Sequence, residues 1–343
     1  MKKLQEGKAI FRANISGKNK GPGKAAGVFY NPAMKFSRDL HVAFARQFNF
    51  KGIMLDGLAA SGIRGIRLFL EAGVNIEFCD VSRLATDTIQ ENMKLNKMSC
   101  RVHNKTLEEL LKDRKYDWID IDPFGTPVPY LKAAIDSLNK KGILGVSATD
   151  TAVLFGAKPT VCERRYGSKS MKKVASKEIG TRILISKIYK IASESGKGIQ
   201  PLLSYYEGHH LRVFLRITEK RTVQLKWIDK NMKIRDKKND DTSGPLWVDK
   251  IIQADLVPSD CSGLLGKFFD KLRKEADGPP GLYDINEIAK DANVGQTPKR
   301  KKIVKCISNL GCFASSSVFS PLGIKTDASR NDRIEAVKHA QSL

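Results

Sequence analysis

The sequence predicts an α/β fold built on a parallel sheet, followed by a smaller second domain. Three observations carry this expectation. Strand and helix patterns alternate from Gly52 to Asp150, the strands read as short apolar runs, and a stretch with almost no apolar pattern interrupts the chain at Asp229 to Pro245. Alternation of this kind implies βαβ units, whose strands are covered on both faces. With 343 residues the chain is long enough for two cores. The expected domains are residues 1–228 and 229–343.

The elements follow in order. GIMLD is a strand, GIRGIRLFLEAG a helix, VNIEFCD a strand and RLATDTIQENMKLNK a helix; then come the strand YDWIDID, the helix PYLKAAIDSLNK and the strand GILGVSATD. Ligands of such sheets sit beyond the carboxyl ends of the strands. Three strands end in an acid there: Asp56, Asp80 and Asp122. A helix is expected at Ile179 to Ser193, and PLLSYYE and LRVFLRI, separated by EGHH, read as an antiparallel hairpin. In the second domain CSGLLGKFFDKLRKEA and DINEIAKDANV have helical patterns. A further helix is expected at Pro298 to Leu310, with Thr297 as N-cap and Gly311 as stop. Two short helices across a tight turn, followed by CFASSSVFSPLG, resemble a winged helix-turn-helix, so this domain is α+β with a winged-helix-like part.

Lys and Arg number 60 against 37 Asp and Glu, a formal charge of +23, and 41% of residues are hydrophobic. The charge therefore decorates a folded protein and suits a polyanion. No amphipathic basic helix or lipidation signal favours a membrane surface, so nucleic acid is the expected partner. The longest apolar run, GILGVSATDTAVLFGA, is broken by Asp150, and no apolar segment follows Lys2 and Lys3. A soluble, cytoplasmic protein is expected. The six cysteines form no C-x-x-C pair, and His209 and His210 point to opposite faces of a strand, so no metal is expected.

The loop LDGLAASGIRGIR joins a strand to a helix, with glycines at Gly57, Gly62 and Gly65. This spacing matches neither a dinucleotide fingerprint nor a P-loop. Followed by Asp80 and Val81 at the end of the next strand, the loop admits two readings. It is a site for S-adenosylmethionine, with Asp80 accepting from the ribose hydroxyls, or a tight turn with Asp80 as an N-cap.

The stretch DWIDIDPFGTP bears on that choice. An exocyclic amine of a nucleobase is a poor nucleophile, because its lone pair is delocalised into the ring. A carboxylate and the carbonyl beside a rigid proline can accept its N–H groups and orient the lone pair for in-line attack. An aromatic ring can stack on a flipped base. Asp122, Pro123 and Phe124 supply these three parts in consecutive residues, a variant of the acid-Pro-Pro-aromatic motif of amino methyltransferases. Asp117 is expected to start the strand and Asp120 to support it.

The chain also resembles the tRNA (guanine-26-N2) dimethyltransferase family. The resemblance runs through EGKA, VFYNPAM, SRD, SGIRGIR, IDIDPFGTP, GILGVSATD, EIGTRIL and FSPLGIKTDA, from Glu6 to Ala328. It implies a Rossmann-like class I methyltransferase domain with S-adenosylmethionine as cofactor, and methylation of a guanosine N2 amine in tRNA. It places Arg38, Asp56, Gly62, Arg64, Asp80 and Val81 at the cofactor, the two arginines at its carboxylate end. It places Asp122 and Pro123 at the amine, and Phe124 and Phe29 against the base. Each has a plainer reading, the arginines as ion-pair partners and Phe29 as core.

Two departures matter. Where the family carries an Asp-Ala pair for the adenine, this chain has HNKTLEEL, and the paired cysteines of some members are absent. Basic residues cluster in SGKNKGPGK, between Lys158 and Arg182, and between Lys299 and Lys305, which suits phosphate contacts. The stretch Ser16 to Gly27 is expected to move when RNA is absent. rRNA guanine, DNA adenine and a non-catalytic RNA-binding role are the rival readings.

Overall fold

The computed structural model describes residues 1–15 and 28–342; of residue 29 it describes the backbone alone. The expected mobility of residues 16–27 lies outside the described residues. The chain packs as two compact units: residues 1–149, 189–200 and 212–221 form one, and residues 150–188, 201–211 and 222–343 the other.

A seven-stranded sheet supplies the first unit with five whole strands and with residues 197–200 and 212–219 of two more. Its strands run in the order Val102–His103, Asn75–Cys79, Ile53–Gly57, Tyr116–Ile121, Leu138–Ala148, His210–Glu219 and Lys197–Glu207. The first five are parallel to one another. The last two are joined by the two-residue turn at Gly208 and His209, which only an antiparallel pair allows. The α/β class and the order of strands and helices from Gly52 agree with the sequence. Leu55, Trp118, Ile119, Leu144 and Phe214 are fully buried, because helices such as Ile63–Ala72 and Val128–Ser137 cover a sheet of this kind. A small sheet that the sequence reading did not foresee lies at the start: Lys2–Glu6, Ala9–Ile15 and Phe29–Tyr30.

The single boundary expected between residues 228 and 229 is not where the units divide. Residues 150–188 pack with the segment that follows it. Ser168 and Ser186 donate to the Pro245 carbonyl, and Arg182 donates to the Trp247 and Asp249 carbonyls at 3.0 and 2.9 Å. Nor is Asp229 to Pro245 without structure. Three short strands, Lys226–Asp229, Ile234–Arg235 and Thr242–Leu246, form a sheet. Asp229 holds its turn by accepting from the backbone of Asn231 and Lys233 and from Arg235. Polar turn chemistry, invisible to apolar periodicity, stabilises it.

Further on, the order is helix Gly263–Glu275, strand Tyr283–Asp284, helices Ile285–Asp291 and Arg300–Asn309, strands Ala314–Ser316 and Gly323–Thr326, and helix Arg330–Ser342. The second of these helices starts two residues later than expected, with Lys299 and not Thr297 at its N-cap. Beneath this part Glu178 accepts from Arg182 at 2.8 Å and Lys325 at 2.6 Å, all three fully or almost fully buried. Glu275 lies near Lys325 but is pushed up to about 7 by burial, which the Lys325 charge only partly offsets. Among the described residues no helix is long and apolar enough to cross a membrane.

A carboxyl whose folded-state value is raised binds its proton more tightly when folded. Its contribution is therefore favourable at low pH and is lost as pH rises from the ordinary range, near 4.5, to about 7. Replacing Glu275 by Gln should stabilise the protein at pH 8 by up to a few kcal/mol relative to the parent, with little gain at pH 5. Denaturant titrations at the two pH values check this, and an equal gain at both would refute it.

Candidate functional site at the carboxyl edge of the sheet

Strand register decides which acids reach the edge. Asp56 pairs across the sheet with Asp120, and Gly57 with both Cys79 and Ile121. Asp80 and Asp122 follow Cys79 and Ile121, so both stand one step beyond Gly57, on either side of Leu58. Asp56 is one step further in. It is buried, and its carboxylate accepts from the Gly65 amide at 3.0 Å. Burial, together with the facing Asp120 carboxylate, pushes it up to about 7. Asp56 was expected at the cofactor; its position is that of a buried brace for the helix that starts at Ile63.

The glycine loop crosses between Asp80 and Asp122. Leu58 and Ala60 both have positive φ, +66° and +48°, values that side chains with a Cβ rarely adopt. Tertiary bonds hold them there. Ala59 donates to the Cys79 carbonyl at 3.0 Å and Ala60 to Asp80 Oδ2 at 2.9 Å. Backbone held in this way is often found at ligand sites. Asp80 Oδ1 accepts from the Ser82 amide, and Asn104 donates to the carbonyls of Asp80 and Val81. The Val81 side chain is 64% exposed beside this carboxylate. An acid able to accept further hydrogen bonds, an exposed apolar side chain and a strained loop opening a helix at Gly62 together fit a nucleoside-bearing cofactor.

Asp122, half-buried, is ion-paired to Arg64 Nη2. Pro123 is buried and Phe124 is 64% exposed. The turn is pinned from the next strand: the Gly125 amide donates to Thr149 Oγ1 at 2.6 Å, and the Thr149 amide to the Gly125 carbonyl at 2.9 Å. Gly125 has φ +86°, which glycine alone adopts freely.

Behind this edge lies a buried set of charges. Arg64 Nη1 is 3.3 Å from His41 Nδ1 and its Nε is 3.8 Å from Asp120 Oδ1. Arg212 Nη2 donates to Asp120 Oδ2, and its Nη1 to Ser147 Oγ at 2.8 Å. Burial, and then the Arg212 and Arg64 guanidiniums, hold His41 well below its ordinary value, so the ring is neutral.

The two arginines expected at the cofactor's carboxylate end are both committed elsewhere. Arg64 holds Asp122. Arg38 is fork-paired with buried Glu6 at 2.7 and 2.6 Å, and Arg67 and Tyr30 donate to the same carboxylate at 2.8 and 2.7 Å. Burial pushes Glu6 up, but Arg38, Tyr30 and Arg67 outweigh it and hold the carboxyl at about 2. The structure thus joins Arg64 and Asp122, sets Asp80, Val81 and Gly62 around one loop, and leaves Arg38 in a separate cluster. The side chain of Phe29 lies outside the described residues. Sequence reasoning missed His41, Ser147 and Arg212. Arg212 left a signal: an arginine flanked by Leu211, Val213 and Phe214 in a strand too apolar for an exposed charge.

The sequence model of the family described as N2,N2-dimethylguanosine tRNA methyltransferase matches residues 10–236 and 223–338. A protein of Thermoplasma acidophilum named tRNA (guanine(26)-N(2))-dimethyltransferase is 32% identical over 315 residues, 90% of each chain. One of the same name from Saccharolobus islandicus is 32% identical over 349 residues, 91% of each chain. The solved structure of Trm1 from Pyrococcus horikoshii with S-adenosyl-L-methionine has a TM-score of 0.87 at 29% identity, covering 98% of this chain and 100% of that one.

Glu6 makes the N-terminal cluster sensitive to acid. Its folded-state value, about 2, lies below the ordinary 4.5, so its contribution is full above pH 4.5 and lost as pH falls towards 2. Glu6→Gln, which leaves Arg38 without its carboxylate, should cost about 3 kcal/mol at pH 7. The cost should shrink steadily below pH 4.5. A penalty independent of pH, measured by denaturant unfolding, would show that packing and not charge is lost.

Proposed function

The chain belongs to the N2,N2-dimethylguanosine tRNA methyltransferase family, and on that premise we propose that it methylates the exocyclic N2 amine of a guanosine in tRNA, using S-adenosylmethionine. The target we assign is position 26, which the names of the relatives carry, and the cytoplasm is the proposed compartment. One observation supports this reading above the others: Asp122, Pro123 and Phe124 stand at the carboxyl edge with the carboxylate held by Arg64 and the ring exposed.

Bound S-adenosylmethionine supplies an electrophilic methyl on a sulfonium. Asp80 would hold its ribose, Val81 would pack on the adenine, and the loop ending at Gly62 would take the methionine end. Arg38 and Arg64 would each have to release a protein carboxylate to hold the amino-acid carboxylate. Arg64 instead orients Asp122. The Asp122 carboxylate and the carbonyl beside Pro123 accept the two N2 protons, which turns the nitrogen lone pair towards the methyl. Phe124 stacks on the guanine, offsetting the few kcal/mol lost when the base leaves its helix. Transfer of the methyl, with the carbon–sulfur electron pair left on sulfur, would leave the guanine nitrogen positively charged. Asp122 takes the proton that then leaves. Phe29 is assigned to the other face of the base from the resemblance of VFYNPAM alone.

Lys299, Lys301, Lys302 and Lys305 are exposed on or beside the helix Arg300–Asn309. This basic surface is assigned to tRNA phosphates. Residues 222–343 of the second unit are accordingly assigned to tRNA binding, and the first unit carries the chemistry.

Three outcomes are expected. Incubated with labelled S-adenosylmethionine and bulk tRNA, rRNA or DNA, the protein should label tRNA, with N2-methylated guanosine as the product. Asp122→Ala should lower transfer on the order of 100-fold or more while cofactor affinity stays within about twofold. Label in rRNA or DNA alone, or on another nucleoside, would overturn the assignment. Affinity for tRNA should fall about 100-fold or more between roughly 50 and 200 mM salt. A flat salt dependence would remove the phosphate-contact reading.

A further inference from the structure

Arg212 has no part in the reaction as derived so far, yet it is a fully buried charge within the sheet. A buried ion pair is a weak stabiliser, because desolvation offsets much of the attraction. The neighbourhood of Asp120 suggests what the pair is for. Asp120 Oδ2 is taken by Arg212. Its Oδ1 is buried and, among the described residues, has no hydrogen-bond partner. Arg64 Nε stands 3.8 Å from that oxygen while Arg64 Nη2 reaches Asp122. Arg64 therefore lies between two carboxylates that compete for it. An unpaired carboxylate in the interior is far more costly than one at a half-buried edge. Without Arg212, Asp120 would draw Arg64 inwards.

We propose that Arg212 is a positioning residue for methyl transfer: by neutralising Asp120 it leaves Arg64 to hold Asp122 at the reacting edge. The inference rests on the function proposed above. His41 and Gly145 fit the same arrangement. The neutral His41 ring presents Nδ1 to both guanidiniums, 3.3 Å from Arg64 and 3.5 Å from Arg212, and so separates two like charges with an acceptor. Gly145 pairs with Asp120 across the sheet, and any Cβ there would collide with the Asp120 carboxylate and crowd Arg212. GILGVSATD thus contributes Gly145 and Ser147 to the pair, beside Thr149 at the turn.

The test uses the full-length variant Arg212→Met, which keeps much of the volume and removes the charge. Its crystal structure should show Arg64 moved from Asp122 to Asp120, a readout independent of any activity. Its kcat should fall 10- to 100-fold, on the order expected for a displaced reacting group. KM for tRNA and affinity for S-adenosylmethionine should stay within about twofold. Adding Asp120→Asn removes the competing charge and should return most of the lost rate. Should Arg212→Met fail to fold, the double variant carries the test, and it should fold with Arg64 on Asp122. The proposal is overturned if Arg64 stays on Asp122 in Arg212→Met while His41 gains a proton to serve Asp120. It is also overturned if kcat is unchanged, if cofactor affinity falls as much as kcat, or if Asp120→Asn restores nothing.

Discussion

Charge removed from water must find a partner, and that constraint organises both units of this protein. A carboxylate or guanidinium deep in a sheet costs several kcal/mol unless a counter-charge and hydrogen bonds meet it. Asp56, Asp120, Arg64 and Arg212 are all buried under the carboxyl edge of the first unit. Three strands of the sheet and one helix supply them, and a shift of strand register would break the pairing of Asp120 with Arg212. A change of one residue would send Asp120 to the opposite face, away from Arg212. The pair between Asp120 and Arg212 thus fixes the register of the strand Tyr116–Ile121 and, with it, the height at which Asp122 emerges.

The same rule holds elsewhere in the chain. Glu6 receives Arg38, Arg67 and Tyr30, which ties the N-terminal strand to two helices of the first unit. Glu178 receives Arg182 and Lys325 and the Gly281 amide, which ties residues over a hundred positions apart within the second unit. In each case one carboxylate serves several donors. That is an economical way to satisfy buried cations, since one desolvated anion offsets more than one of them.

Much of the fold was legible because its signals are local. Apolar runs and helical spacing mark GIMLD, VNIEFCD and the helices between them, and the motif DPFG announces its own turn. The roles of Asp117 and Asp120 were also legible. Asp117 is the second residue of its strand and accepts from the Ile53 amide at 2.9 Å, and Asp120 is the supporting acid. What sequence reasoning could not reach depends on register and on long-range pairing. Asp56 ends its apolar run much as Asp80 does, and only its pairing opposite Asp120 shows that it faces inwards. Arg38 carries the same motif signal as Arg64, but Glu6, thirty-two residues earlier, claims it. The strands around Asp229 were missed because polar turns and not apolar periodicity hold them.

The separation of acids along the edge is itself informative. Adjacent strands lie about 4.8 Å apart, so carboxyls on neighbouring strands at one level interact strongly, as Asp56 and Asp120 do. Asp80 and Asp122 have the strand Ile53–Gly57 and its loop between them, a spacing of roughly 10 Å. At that distance, and half in contact with solvent, two carboxylates need not share a counter-ion. The loop that fills the gap must then be narrow, which is why Leu58 and Ala60 accept left-handed backbone where a wider turn would avoid it. Strain at two residues is the structural consequence of placing two acids two strands apart on one edge.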